Sequence, residues 1–237
     1  PEYNMSHNLL FCTRKGVIKK TKLEAYSRPR QNGVNAITIR EDDQVIQVRL
    51  TTGDSQIIMA NKHGRAIRFH ESTVREMGRT ATGVRGMTLD ETGDDEVIGM
   101  ICIKDPEKET VMVVSEQGYG KRSEIEDYRI TNRGGKGVKT LNITEKTGNL
   151  VAIKSVTDEN DLVIINKSGI TLRMKVADVR IMGRATQGVR LINLEKRNDE
   201  IASVCKVLSE TESDSSNSEN IDSSSEMNEA EASETTE

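Results

Sequence analysis

Basic residues recur beside glycines in this chain, in a pattern suited to holding phosphate groups. Four short cassettes end in Gly-Val: Arg30-Gln31-Asn32-Gly33-Val34-Asn35, Arg79-Thr80-Ala81-Thr82-Gly83-Val84-Arg85, Arg133-Gly134-Gly135-Lys136-Gly137-Val138-Lys139 and Arg184-Ala185-Thr186-Gln187-Gly188-Val189-Arg190. Arg and Lys supply positive charge, and a glycine lets backbone amides come close to an anion. The cassette bases are Arg28 and Arg30, Arg79 and Arg85, Arg133 with Lys136 and Lys139, then Arg184 and Arg190. A second set follows a different glycine in each repeat: Lys19 and Lys20, Arg65 and Arg68, Lys121 and Arg122, Arg173 and Lys175. In a radially repeated fold, equivalent residues take equivalent places. These two sets then predict a positive belt that touches phosphates without reading bases. Arg75, beside Glu76, reads as ordinary surface charge.

The elements that must carry this belt repeat with the same step. The Gly-Val glycines lie 50, 54 and 51 residues apart (83 − 33, 137 − 83, 188 − 137). A period near 50 marks a repeat architecture. Each unit opens with an apolar run, a polar turn ending in Gly, and a second run. Examples are Ile57-Ile58-Met59-Ala60 with Gly64, and Leu162-Val163-Ile164-Ile165 with Gly169. That is a hairpin signal. The first strand is apolar at nearly every residue and is expected to be buried on both faces. The second alternates apolar and basic residues and is expected to be half-buried. Two more strands should follow each cassette, as in Ala36–Ile39 then Val45–Val48, or Thr140–Ile143 then Leu150–Ile153. Four strands per unit predict an all-β, propeller-like fold of four four-stranded blades, near 8–55, 56–109, 110–160 and 161–208. Four blades are few for a closed ring, so an open arc is expected. Residues 1–7 read as a remnant or linker, and Pro1 in place of Met suggests a piece of a longer polypeptide.

Charge is segregated. The 237-residue chain has 34 Lys and Arg against 38 Asp and Glu. Ten of those acids fall in residues 209–237, which hold no Lys or Arg, leaving 28 acids against 34 bases in residues 1–208, a balance of +6. A basic body with an acidic tail suggests nucleic-acid interaction. The tail has almost nothing to bury and is expected to be disordered. It is either a solubilising appendage or a polyanion that competes with DNA. Cys12, Cys102 and Cys205 lack metal-ligand spacing and read as buried free thiols in a reducing cytosol. His7, His63 and His70 pair with no Cys at zinc-like spacing, so no metal is expected. No apolar run reaches about 18 residues, so no membrane helix is expected. There is no signal-peptide pattern.

The stretch Phe69–Gly86, with Gln117-Gly118-Tyr119-Gly120-Lys121-Arg122 and Ile181–Val189, resembles the C-terminal domain of the DNA gyrase A subunit, of the type IIA topoisomerases. The resemblance covers about residues 8–208 and matches the last four of the six blades usual there. It implies a β-pinwheel whose blades exchange strands and whose basic rim wraps duplex DNA, supporting ATP-dependent negative supercoiling by the holoenzyme. It implies as partners the rest of the A subunit, together with the B subunit, in a heterotetramer, and a cytoplasmic, nucleoid-associated location. No cofactor is expected here; ATP and Mg2+ act elsewhere in the holoenzyme, and the fragment alone is non-catalytic. The cleavage tyrosine belongs to another domain of the family, so Tyr3, Tyr26, Tyr119 and Tyr128 read as packing residues. Asn132-Arg133-Gly134-Gly135-Lys136-Gly137 matches the family's Gln-Arg-Arg-Gly-Gly-Lys-Gly box only in part. Phosphate contact is carried over to Arg133 and Lys136, but not the box's special role in supercoiling. The alternatives are the corresponding domain of topoisomerase IV, which decatenates, and a protein-binding propeller. The latter expects Trp-Asp or Gly-Gly-aromatic signatures, and the chain has no Trp.

Overall fold

The hairpin strands β1 (Asn8–Thr13) and β2 (Val17–Lys22) start a pattern that repeats with β4 (Gln56–Asn61) and β5 (Arg65–His70), β8 (Thr110–Ser115) and β9 (Tyr119–Glu124), and β12 (Asn160–Asn166) and β13 (Thr171–Lys175). The computed structural model describes residues 6–194 and 199–209. The first five residues and, but for Ser209, the expected tail at 209–237 lie outside these. Each unit adds one long strand: β3 (Val45–Thr51), β7 (Val97–Ile103), β11 (Leu150–Val156) and β15 (Ile201–Leu208). The Val-basic ends of three cassettes form two-residue strands β6 (Val84–Arg85), β10 (Val138–Lys139) and β14 (Val189–Arg190). No described helix is long and apolar enough to cross a membrane.

Each cassette strand joins the blade before its own. The sheet orders are β3-β1-β2-β6, β10-β5-β4-β7, β11-β8-β9-β14 and β13-β12-β15. The register repeats: Val84 faces Ile18, Val138 faces Ala66 and Val189 faces Gly120. The fourth blade therefore has three strands among the described residues, not the four expected. The long strands contact one another in succession, β3 with β7, β7 with β11, β11 with β15, and so form the hub. The cassette strands hold the opposite edge of the first three sheets, at the rim.

The first strands β4 and β8 are buried on both faces because each lies between two blades, whereas Val163 and Ile165 of β12, in the last blade, are only partly buried. In β4, Ile57 and Met59 pack into one core with Leu10 and Ile18, while Ile58 and Ala60 pack into another with Val111 and Val113. In β8, Met112 and Val114 face a third core with Leu162 and Ile164. Side chains alternate across a strand, so a strand between two cores must be apolar throughout.

The expected strands at 36–39 and 140–143 are absent, and for the second the cause is local. After the last three cassettes, two successive N–H groups turn in toward one hairpin-glycine carbonyl. Gly86 and Met87 donate to Gly16 O (2.8 and 3.2 Å), Thr140 and Leu141 to Gly64 O (2.8 and 3.2 Å), and Leu191 and Ile192 to Gly118 O (2.8 and 3.4 Å). A chain that pivots on one carbonyl cannot continue as a ladder. A Cβ on Gly64 would stand 2.7 Å from Leu141 O. The residue two before the long strand also repeats. Asp43 accepts from the Lys15 N–H (2.9 Å), Asp95 from Asn61 Nδ2 (2.7 Å) and Asp199 from Ser168 Oγ (2.6 Å). Gly148 holds this place in the third unit, and the acid moves to the turn: Glu116 accepts from the Asn149 N–H at 2.8 Å.

Candidate nucleic-acid interface

The second hairpin strands are more buried than their alternation implies. Lys19, Lys20, Arg68, Lys121 and Arg122 are all under a tenth exposed. The expectation that they line the rim is corrected, because backbone carbonyls of the next blade hold them. Lys20 Nζ donates to Glu71 O (3.2 Å), Arg68 to Ile125 O and Tyr128 O (both 2.8 Å), and Arg122 to Val176 O (3.2 Å). Each acceptor lies in or beside the short 3-10 turn that follows the next hairpin. Arg122 also meets Asp158 at 2.7 Å. Lys19 and Lys121 hold the next cassette itself. Lys19 Nζ donates to Ala36 O (2.6 Å) and Arg79 O; Lys121 Nζ donates to Gly183 O (2.8 Å), Arg184 O and Thr186 Oγ1 (3.2 Å). These side chains join blade to blade and leave nothing for a phosphate.

Burial pulls the ammonium of Lys121 down to about 8, with Arg184 pushing the same way and Asp127 opposing. A lysine whose folded pKa is depressed binds fewer protons folded than unfolded over that interval, so stability rises with pH there. The stability of the native chain relative to a Lys121→Met variant should therefore increase between about pH 8 and 10.5. Urea melts of both chains across that range check the sign.

The cassettes form a continuous rim. Arg133 donates to Thr73 O and Arg85 O (both 3.0 Å), and Arg184 repeats this one blade on, to Asp127 O (2.9 Å) and Lys139 O (2.8 Å). Thr38 Oγ1 meets Thr80 O (2.6 Å), Thr88 Oγ1 meets Gly134 O (2.6 Å), and the Asn142 N–H meets Thr186 O (3.1 Å). Neighbouring cassettes are thus fixed side by side, and Arg133 and Arg184 act within this framework.

The bases on that framework face outward in register. Arg85, Lys139 and Arg190 occupy the same place on the outermost strand of three successive blades, and all are exposed. Arg65 is paired across the sheet with Lys139 and donates to Gly137 O at 3.2 Å. Arg190 lies 5.5 Å above the Tyr119 ring, which fixes its direction. Arg28, Arg30, Lys136 and Lys175 are exposed, and Arg79 is partly so. Among the described residues, Arg28, Arg30, Arg79, Arg85, Lys136 and Lys139 have no carboxylate within 4.0 Å. Arg173 is different: its Nε meets Asp161 at 2.8 Å.

Two rim depressions gather these groups with others the sequence reading passed over. One is lined by Lys15, Arg40 and Arg85, the other by Arg129 and Lys136 beside Gly135 and Gly137. Neither has a carboxylate in its wall. Arg129 belongs to a third recurring set, with Arg75 and Arg180, all exposed and each eight residues before a Gly-Val glycine (83 − 75, 137 − 129, 188 − 180). That constant offset was the available signal. Reading Arg75 as incidental charge hid it.

Three of the four Gly-Val glycines do not open the backbone toward an anion, as expected, but toward the neighbouring strand, while Gly33 has open space around it. Gly83, Gly137 and Gly188 have φ of +106, +76 and +83°, and a Cβ there would meet Ile18 O, Ala66 O and Gly120 O at 2.7, 2.3 and 2.7 Å. Of the tyrosines, Tyr128 and Tyr119 are buried as packing residues; Tyr3 lies outside the described residues. Cys12 is buried, but Cys102 is only partly so and Cys205 is exposed, which corrects the expectation of three buried thiols.

The family model described as "DNA gyrase C-terminal domain, beta-propeller" matches residues 7–52, 55–104, 109–157 and 160–205, one match per blade. The A subunit of DNA gyrase from Staphylococcus aureus (strain NCTC 8325 / PS 47) is 47% identical over 211 residues, which is 89% of this chain and 23% of that protein. Its counterpart from strain MRSA252 is 51% identical over 186 residues, 78% of this chain and 21% of that protein. The chain thus spans about a quarter of the length of these relatives. A DNA topoisomerase IV C-terminal domain superposes with a TM-score of 0.81 at 27% identity, covering 87% of this chain and 64% of the other. A DNA gyrase A C-terminal domain gives 0.76 at 26%, covering 87% and 68%. With four matched repeats that together span most of its length, the chain belongs to the DNA gyrase C-terminal domain family.

Proposed function

We propose that this chain binds duplex DNA without sequence preference and wraps it along the rim, as part of a gyrase A polypeptide that introduces negative supercoils. One observation carries the reading: Arg85, Lys139 and Arg190 stand at one equivalent, exposed position on three successive blades. Bending 20–30 bp by 40–90° costs about 1–6 kcal/mol. One contact patch offsets little of that, whereas stepped patches each neutralise a phosphate and release counterions. Base-reading elements such as a recognition helix are absent among the described residues. The rest of gyrase A, the gyrase B polypeptide, ATP and Mg2+ complete the proposed assembly, in the cytoplasm at the nucleoid.

Fluorescence anisotropy on two unrelated duplexes of equal length tests the binding claim. If Arg65, Arg79, Arg85, Lys136, Lys139 and Arg190 each neutralise one phosphate, log K should fall with log salt at a slope of about −5, alike for both sequences. A flat salt response, or binding confined to one duplex, contradicts it. The topoisomerase IV likeness favours a second reading, decatenation. Supercoiling and decatenation assays on the holoenzyme separate the two. The level of identity to gyrase A polypeptides supports the first.

A further inference from the structure

The hub encloses a second concentration of positive charge, on the edge of each blade opposite the rim. A cavity of about 490 Å³ is reached by every inner strand: Arg49 from β3, Cys102 from β7, Lys154 from β11 and Lys206 from β15. Lys104 also lines it. Lys108 and two acids, Asp105 and Glu109, complete the charged part of the wall, and the acids already have partners. Asp105 pairs with Lys108 at 3.2 Å. Glu109 accepts from the backbone N–H groups of Lys104 and Asp105, both at 2.8 Å, and from the Ser155 hydroxyl. Among the described residues, Arg49, Lys104, Lys154 and Lys206 have no carboxylate within 4.0 Å.

Five cations from four blades thus converge on a wall that holds two carboxylates, and the positive charge is in excess. Burial pulls the half-buried Lys154 ammonium below its ordinary value, and Arg49 and Lys206 push the same way against an opposing contribution from Cys205. Cations so placed raise one another's energy, and a multivalent anion between them would relieve it. A cavity of this size suits a small metabolite. No aromatic ring lines it, so nothing there would stack on a nucleobase.

We propose that the hub cavity is a binding site for a compact oxyanion of the polyphosphate class, held by Arg49, Lys154 and Lys206 together with Lys104. The site shares no residue with the rim and does not depend on the DNA reading. Binding would raise the Lys154 pKa, so complex formation at alkaline pH takes up protons.

Calorimetric titration of the full 237-residue chain with sodium tripolyphosphate, at about 0.1 M salt, tests the assignment. One saturable site is expected, with net proton uptake across buffers of different ionisation enthalpy. Lys154→Gln and Lys206→Gln should each weaken it about tenfold. Lys206 is exposed, so its replacement leaves folding unthreatened if the Lys154 variant proves unstable. The rim variant R85E/K139E/R190E should bind tripolyphosphate as the native chain does, and K206Q should bind DNA as the native chain does. Three results would overturn the proposal: no saturable binding, equal loss in the rim variant, or binding only after residues 210–237 are removed. The last would make the acidic tail the occupant.

Discussion

Reversing Arg85, Lys139 and Arg190 together to glutamate should lower affinity for any duplex by about a thousandfold near 0.1 M salt. Each contact releases about 0.9 of a counterion, which at that salt is worth about 1.2 kcal/mol, or close to tenfold. The salt slope should become shallower by about 2.7, because three phosphates lose their partners. The fold should be unaffected. These side chains are exposed, and the inter-blade contacts run through other residues, such as Lys20, Arg68 and Arg122. Anisotropy titrations at several salt concentrations, beside a thermal melt, separate the two effects. A variant that kept native affinity would remove the three positions from the interface.

A larger effect on stability is expected at Gly137. Its φ is +76°, and a Cβ would sit 2.3 Å from Ala66 O. Gly33 has almost the same φ, +79°, with nothing within 4 Å of the added atom. Gly33→Ala therefore carries only the left-handed backbone cost, about 1 kcal/mol. Gly137→Ala adds a backbone collision that can be relieved only by moving β10 off β5, for a total of about 2–6 kcal/mol. In a chain of this size that is roughly 2–4 °C in Tm per kcal/mol. The exchanged strand carries Lys139, so the same substitution should also weaken DNA binding. Equal melts for the two variants would mean that the close approach at Gly137 is not what constrains it.

The repeat, the hairpins and the doubly buried first strands were legible in the sequence because they rest on local chemistry. A turn glycine after an unbroken apolar run such as Val111–Val114 marks the same hairpin in every blade, and the run is buried on both faces where a blade lies on each side. Strand exchange was not legible in the residues themselves. Nothing near Val84 says that its partner is Ile18 and not a strand of its own unit; only the family resemblance implied it. The buried lysines misled for a related reason. Lys19 and Lys121 share a repeat position with Ile67, which is buried and apolar in the second blade. The acceptors of Lys19 and Lys121 include main-chain oxygens about 60 residues away, and a sequence displays side chains, not carbonyls. The alternation of basic and apolar residues therefore looked like an ordinary half-exposed strand. At the rim, by contrast, the exposed placement of Arg85, Lys139 and Arg190 follows from their constant spacing, two residues after a Gly-Val glycine.

The arrangement separates two uses of one residue type. Lys19, Lys20, Arg68, Lys121 and Arg122, after the hairpin glycines, tie successive blades through carbonyls, and Arg85, Lys139 and Arg190 at the cassette ends face solvent. Substitutions in the first group should act on stability, and those in the second on DNA affinity. Arg68, at 3% exposure, and Arg85, which is exposed, exemplify the two.

The most direct measurement is the linking number of a relaxed plasmid incubated with saturating amounts of this chain, closed by a topoisomerase I, and resolved after the protein is removed. A rim of stepped cations that DNA follows around the blades predicts a shift of one consistent sign, lost in the R85E/K139E/R190E chain. An unshifted plasmid at saturation, or a shift that the triple reversal leaves intact, would contradict it.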